Sequence, residues 1–187
     1  MNRQLATLIL CAGLAAMPAL AQQKLLEAQS EIAFVTRQMG VPVQGRFRVF
    51  DGQIDFDPKK PQAGRIAFSV ATGSATLGVA EADEELHKPL WFNVPGFPRA
   101  TFLSQSIKPL GGGRFEVTGV LTIKGRQQSV VVPVQLSQSG AITTATGVFA
   151  LKRLVFGVGE AQWADTTMVA DEVQVRFKFA LNGVGKF

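Results

Sequence analysis

The stretch VQVRFKFAL, residues 173–181, alternates two kinds of side chain. Every second residue from Val173 onward is apolar, and Gln174, Arg176 and Lys178 lie among the residues between them. A period of two is that of a β-strand with one face toward a core and the other toward water. Strands of parallel sheets are buried on both faces, so this stretch predicts a strand of an antiparallel sheet.

The same period recurs through most of the chain. Further alternating runs are Ile32/Phe34, Ile66/Phe68/Val70, Phe115/Val117/Gly119/Leu121/Ile123 and Gly147/Phe149/Leu151. Turn signals separate them, at Asp51-Gly52, Asp57-Pro58, the three glycines 111–113, Lys124-Gly125 and Ser139-Gly140. Many short amphipathic strands favour a sandwich or a closed barrel, and closure removes the exposed strand edges. About eight strands would enclose a space wide enough for side chains or for one slender ligand.

One segment interrupts the strand pattern. Residues 78–88 are rich in alanine, glutamate and leucine, which favour a helix, and Pro89 ends it. The aromatic and proline-rich residues 91–98 follow, and their composition is more typical of a plug or lid than of a strand. The sequence therefore predicts an all-β fold, a sandwich or a closed barrel, with a short helix inserted between strands.

The beginning of the chain has the features of a signal peptide. Arg3 precedes a mostly apolar run at residues 5–20, and Ala19 and Ala21 supply the small residues that cleavage before Gln22 requires. A membrane anchor would need about 20 apolar residues, and this run is shorter. We therefore expect export of the chain to the periplasm.

Cleavage would divide the chain into a removed signal peptide, residues 1–21, and one mature domain, residues 22–187. The single cysteine, Cys11, lies in the removed part, so disulfides and thiolate chemistry are excluded for the mature domain. Lysine and arginine outnumber aspartate and glutamate by 19 to 14, and the excess is scattered along the chain. Nucleic acid is therefore not an expected partner.

The aromatic composition favours an apolar interior. The chain has 14 Phe, two Trp and no Tyr, so its aromatic surface carries no hydroxyl group. Such residues suit either a filled core or an elongated pocket for an apolar chain, and the sequence leaves both open. In the hollow case, the side chains expected to line the tunnel are Phe34, Phe47, Phe68, Phe102, Leu121, Phe149, Val175 and Phe177. Trp91 and Phe92 are expected to flank one mouth.

Five blocks of sequence, in order, resemble the YceI-like family of bacterial lipid-binding proteins. They are SEIAF at 30–34 with Gly40 and GRF at 45–47, FDGQI at 50–54, DEELHKPLWF at 83–92 with FPRATF at 97–102, VTGVLTI at 117–123, and RLVFG at 153–157. The blocks extend over most of the chain that would remain after cleavage.

The resemblance implies an eight-stranded antiparallel barrel of lipocalin type, located in the periplasm. It implies that the barrel holds a polyisoprenoid or an isoprenoid quinone and needs no catalytic cofactor. It also implies transient contact with a membrane cytochrome or with the membrane surface, and it leaves a monomer and a homodimer both open. Gln38 stands where many members of the family have histidine. A contact between that histidine and a lipid head group would therefore be different in this chain.

The alternative function is an enzyme that acts on a lipid. His87 is the only histidine, and its neighbours Asp83, Glu84 and Glu85 could form an acid–base site with it. A solvated helix face that ends in a polar turn is the simpler interpretation of the same residues. We therefore expect no catalytic residue and no metal site.

A barrel in the outer membrane is a further alternative. Its last strand would carry apolar residues at every second position back from Phe187, yet Gly185 and Gly183 stand there. A barrel with its apolar face turned inward agrees better with the sequence.

Overall fold

A computed structural model of the chain describes residues 23–186. Within this range there are eleven β-strands and one α-helix. The strands are β1 Lys24–Leu25, β2 Glu31–Gln38, β3 Val41–Phe47, β4 Phe50–Asp55, β5 Arg65–Ala71, β6 Ala75–Thr76, β7 Arg99–Gly111, β8 Arg114–Ile123, β9 Arg126–Ser139, β10 Ile142–Lys152 and β11 Glu172–Asn182. The helix is α1 Ala80–His87. The expected signal peptide and Gln22 lie outside the described residues.

All eleven strands belong to one antiparallel sheet, in the order β4-β5-β7-β8-β9-β10-β11-β2-β3-β6, with β1 paired to β11. Only Arg48 and Val49 separate β3 from β4, so these two strands form one bent strand. Its first half pairs with β2 and its second half with β5. The bend brings the two ends of the sheet together.

Backbone hydrogen bonds join the sheet at this bend. The Ala71 N–H donates to the Val49 carbonyl at 3.0 Å, and the Arg48 N–H donates to the Ser74 carbonyl at 3.2 Å. When the bent strand is counted once and the two-residue strands β1 and β6 are set aside, eight strands surround the interior. The predicted all-β barrel with one inserted helix is confirmed, and the finer strand count differs because of the bend and the two short strands.

The turn predicted at Asp51-Gly52 is wrong. Both residues lie inside β4, where they pair with Ser69 and Phe68 of β5. The ring of Phe68 occupies the space above Gly52, so this glycine makes room for a side chain of the neighbouring strand. The turn predicted at Lys124-Gly125 is present, and both residues have the positive φ angles, 50° and 72°, that tight hairpins require.

The predicted helix is present as α1, and an aspartate fixes its first turn to the barrel. Asp83 accepts hydrogen bonds from the Thr76 hydroxyl and from the Leu77 N–H, each at 2.6 Å. These two hydrogen bonds lower the pKa of Asp83. The residues after the helix form turns and no strand, as expected of a plug or lid. Within residues 23–186, no helix has the length and apolar character to cross a membrane.

Candidate functional site

The barrel encloses a cavity of about 700 Å³. Its wall is formed by inward-facing side chains of the long strands, such as Ile32 and Phe34 of β2 and Phe177 and Phe179 of β11. The interior is therefore hollow to an extent typical of small-molecule sites, which occupy roughly 300–1,000 Å³. This observation separates the two alternatives that the sequence left open.

The cavity opens at one end of the barrel. Among its lining residues, those that are exposed are Met39, Glu81 and Met168. They belong to the β2–β3 hairpin, to α1 and to the loop before β11. Gln38 of the hairpin forms a β-bridge with Val169 of the loop, and Val169 belongs to the same buried cluster as Leu86 of α1. This end is the mouth of the cavity.

The hairpin and the loop lie next to each other at the mouth and are joined by backbone hydrogen bonds. The Met39 N–H donates to the Met168 carbonyl at 2.9 Å, and the Ala170 N–H donates to the Arg37 carbonyl at 2.9 Å. Toward the opposite end, the lining residues are buried. They include Phe56 and Phe115, whose rings meet edge to face at 5.2 Å. A chain-like ligand would therefore enter through the mouth and end against these rings.

Few polar side chains reach the cavity. Five of its lining residues are polar, namely Thr36, Gln38, Glu81, Glu85 and Arg153. Glu85 is paired with Lys88, and the Thr36 hydroxyl has no hydrogen-bond partner within residues 23–186. The inward face of β2 changes from Ile32 and Phe34 to Thr36 and Gln38 as the strand approaches the mouth. The wall therefore offers apolar contacts along its depth and polar contacts near the entrance.

Arg153 is buried beside the cavity and organises the loop between β10 and β11. Its side chain is 3% exposed. The guanidinium donates to five backbone carbonyls at 2.6–3.0 Å, those of Val158, Gly159, Trp163, Val169 and Ala170.

Few groups other than these carbonyls stabilise the positive charge of Arg153. Its guanidinium also lies 5.8 Å from the centre of the Trp91 ring, a distance suited to a cation–π contact. Burial lowers the pKa of Arg153, and the Asp171 carboxylate opposes that shift. An arginine nevertheless remains protonated at neutral pH, so its five N–H groups are always available as donors. Arg153 therefore ties the loop that carries Met168 to the end of β10.

All ten residues expected at the tunnel or its mouth lie on the wall of the cavity. They are Phe34, Phe47, Phe68, Trp91, Phe92, Phe102, Leu121, Phe149, Val175 and Phe177. Trp91 is buried, and the Phe92 ring lies 5.9 Å from the Phe47 ring. Their contact with a ligand stays a prediction.

Two features of the wall were missed at the level of sequence. Phe179 is stacked between Phe68 and Phe177, with ring centres 4.3 Å and 4.8 Å apart. Its position in the alternating run of β11 would have been enough to predict that it lines the cavity. Arg153 was noticed only as part of the RLVFG block, because its carbonyl partners come from a loop whose path the sequence does not reveal.

The residues of the enzymatic alternative do not form a common site. The carboxylate of Asp83 is occupied by Thr76 and Leu77, and that of Glu85 by Lys88. His87 was expected to be solvated, but it is half-buried, and its Nε2 atom is shielded with no hydrogen-bond partner in the described part of the chain. The reason is that α1 packs against the barrel. Between residues 23 and 186, no group of three or more His, Cys, Asp or Glu side chains could hold a metal ion.

We expect His87→Ala to leave the fold and lipid binding nearly unchanged. Its Nε2 atom forms no hydrogen bond within the described range, so its removal breaks none there. The free energy of unfolding in urea should change by less than about 1 kcal/mol. A larger loss of stability, or a loss of bound lipid, would indicate a structural or chemical role for this histidine.

Comparison with known proteins finds one matching family and several similar chains. The YceI-like domain family matches residues 24–181. A UPF0312 protein of Ectopseudomonas mendocina is 31% identical over 144 residues, which cover 75% of each chain. The crystal structure of BcnA from Burkholderia cenocepacia superposes with a TM-score of 0.82 at 40% identity, and the match covers 84% of this chain and 99% of BcnA.

A more distant solved structure is a polyisoprenoid binding domain from Saccharophagus degradans that is implicated in plant cell wall breakdown. It superposes with a TM-score of 0.69 at 17% identity, over 86% of this chain and 98% of that domain. At this level of identity, the likeness is one of fold alone.

Proposed function

This chain belongs to the YceI-like domain family, and from this premise we propose that it binds a long apolar lipid inside its barrel. The proposed ligand is a polyisoprenoid or an isoprenoid quinone, and the protein stores or carries it without chemical change. The single observation that carries the proposal is the cavity of about 700 Å³ with apolar walls and a mouth at one end.

The energetics of such a cavity favour a chain-like ligand. Each buried CH₂ group contributes about 0.8 kcal/mol, so ten of them contribute about 8 kcal/mol before the cost of immobilising the ligand is subtracted. Burial alone can therefore hold the chain, and polar anchors along the wall are unnecessary. This agrees with the five polar side chains among the many that line the cavity.

The distribution of these polar groups supports an orientation for the ligand. Thr36 and Gln38 lie on β2 toward the mouth, and Glu81 and Glu85 lie on α1 beside it. The apolar tail would occupy the depth of the barrel, and a polar head group would remain near the mouth. The name of the Saccharophagus degradans domain supports the isoprenoid class of the tail, and a quinone would add a head group with carbonyl oxygens.

We further propose that the protein acts in the periplasm. The basic and apolar beginning of the chain and the small residues before Gln22 support export. An apolar lipid would reach the cavity from a membrane, so transient contact with the membrane surface or with a membrane cytochrome is part of this proposal. The carboxylates of Asp83 and Glu85 are bound to other residues, and the Nε2 atom of His87 has no hydrogen-bond partner in the described range, which supports a binding role over an enzymatic one.

Lipid extraction tests the proposal. The full chain is expressed in a bacterial host, the protein is purified from the osmotic-shock fluid, and its organic extract is analysed by mass spectrometry. We expect a mature protein that begins at Gln22 and carries one dominant isoprenoid species, near one molecule per chain. An extract with no lipid above that of an unrelated periplasmic protein purified in the same way would contradict the proposal.

A further inference from the structure

Four glycines on the inner wall of the barrel each lie against a phenylalanine ring from the neighbouring strand. The pairs are Gly45 with Phe34, Gly52 with Phe68, Gly119 with Phe102 and Gly147 with Phe177. A Cβ atom built on any of these glycines would lie 2.3–2.6 Å from the nearest ring carbon. Each ring therefore occupies the space that a side chain would need.

These glycines are not required by the backbone. None of the four belongs to the glycines with positive φ, so any residue could adopt their conformation. Glycine inside a strand normally weakens it, by about 0.5–1 kcal/mol relative to alanine, and an aromatic ring laid over the glycine compensates for the missing side chain. Four such pairs in one barrel indicate that the space left by the missing side chains has a function.

The pairs are distributed around the barrel. They join β2 to β3, β4 to β5, β7 to β8, and β10 to β11. All four rings line the cavity. Because each ring rests in the place of a missing side chain, it lies closer to the wall than it could beside an alanine.

We propose that these four glycines set the width of the cavity and thereby admit a methyl-branched chain. This inference rests on the proposed lipid-binding function and assigns its chain selectivity to residues of the wall. In Gly45→Ala, a Phe34 ring carbon now 2.3 Å from the Cβ position would have to move by at least about 1 Å to reach van der Waals contact. The ring can move only away from the wall, which narrows the cavity where a methyl branch would lie.

At two of the four positions, a substitution can change the width of the cavity without straining the sheet. The three atoms nearest to a Cβ at Gly45 or Gly52 all belong to the facing ring. At Gly119 and Gly147, a backbone carbonyl lies equally close, that of Leu103 at 2.6 Å and of Pro133 at 2.4 Å. Alanine at the first two positions displaces a side chain, whereas at the other two it would also strain the sheet.

The test compares two alcohols that share a main-chain length and a head group. Farnesol carries methyl branches and double bonds, and dodecan-1-ol is a straight saturated chain. Their dissociation constants are measured by calorimetry on delipidated wild-type protein, on Gly45→Ala and on Gly52→Ala. Gly185→Ala is the matched control, because the nearest atom to its Cβ position is Pro58 Cδ at 3.9 Å.

We expect Gly45→Ala and Gly52→Ala to bind farnesol at least about fivefold more weakly, with less than about a twofold change for dodecan-1-ol. Gly185→Ala should match the wild type for both. The double variant Gly45→Ala/Phe34→Leu removes the displaced ring and should recover most of the affinity for farnesol. Circular dichroism melting identifies any variant that fails to fold, and the other alanine variant then decides the result.

The outcomes distinguish this inference from the proposed function. A wild-type protein that binds neither alcohol would contradict lipid binding itself. A wild-type protein that binds both, beside folded alanine variants with an unchanged ratio of the two affinities, would overturn the role of the glycines alone. Equal weakening for both alcohols would also overturn it, because the effect would then be one of general damage to the cavity.

Discussion

Phe177→Asp is expected to reduce the lipid recovered with the purified protein by at least about tenfold while the barrel still folds. The side chain lines the cavity and stacks on Phe179 at 4.8 Å. An aspartate there would place a carboxylate against an apolar chain, and burying an unpaired charge costs several kcal/mol. Without lipid, water can enter through the mouth and hydrate the new charge. The measurement is lipid recovery by mass spectrometry beside circular dichroism melting.

Gln174→Asp is the matched control for this variant. Gln174 lies on the same strand, faces solvent and undergoes the same change of charge. We expect it to retain its lipid and to melt close to the wild type. A folded Phe177→Asp protein with a full complement of lipid would contradict the proposed binding site. Failure of Phe177→Asp to fold beside a folded control would contradict the hollow, hydratable interior.

Arg153→Met is expected to lower the free energy of unfolding by at least about 3 kcal/mol. Methionine keeps much of the length of the side chain but removes every donor, so five carbonyls lose their charged partner. Hydrogen bonds to charged groups contribute about 1.5–3 kcal/mol each, and water can reach only part of this buried site. Urea unfolding with the linear-extrapolation analysis measures the change.

Lys152→Met serves as the comparison for Arg153→Met. It removes the same charge one residue earlier, from an exposed position at the end of β10. We expect this variant to remain within about 0.5 kcal/mol of the wild type, as exposed substitutions usually do. Similar stabilities for the two variants would show that Arg153 does not hold the loop in place.

The strands could be predicted from sequence because each has one buried and one solvated face. The alternation at residues 173–181 is a direct consequence of that geometry. The helix could be predicted because residues that favour helices end at Pro89. The error at Asp51-Gly52 has a physical cause. A turn signal is local, and here the ring of Phe68, from the paired strand, determines the use of the glycine.

The hollow interior could not be predicted, because an alternating strand has the same pattern beside a filled core and beside a cavity. The difference lies in the circumference of the barrel and in the positions of rings relative to glycines on neighbouring strands. Both depend on strand register, which pairs Phe34 with Gly45 across the β2–β3 hairpin and Gly147 with Phe177 on the paired strands β10 and β11. The shielding of His87 was missed for a related reason, since it depends on how α1 packs against the barrel.

The mouth at one end of the described barrel has a kinetic consequence for a lipid held there. A chain that enters tail first must leave by the same route, so each buried CH₂ group has to be drawn back into water before release. At about 0.8 kcal/mol per group, every added CH₂ would slow an unassisted escape by a factor of about four. Long chains would then have residence times far beyond those of short ones. Rapid delivery would require an acceptor that covers the emerging tail. The rate of release would then be determined by contact with that acceptor and not by the carrier alone.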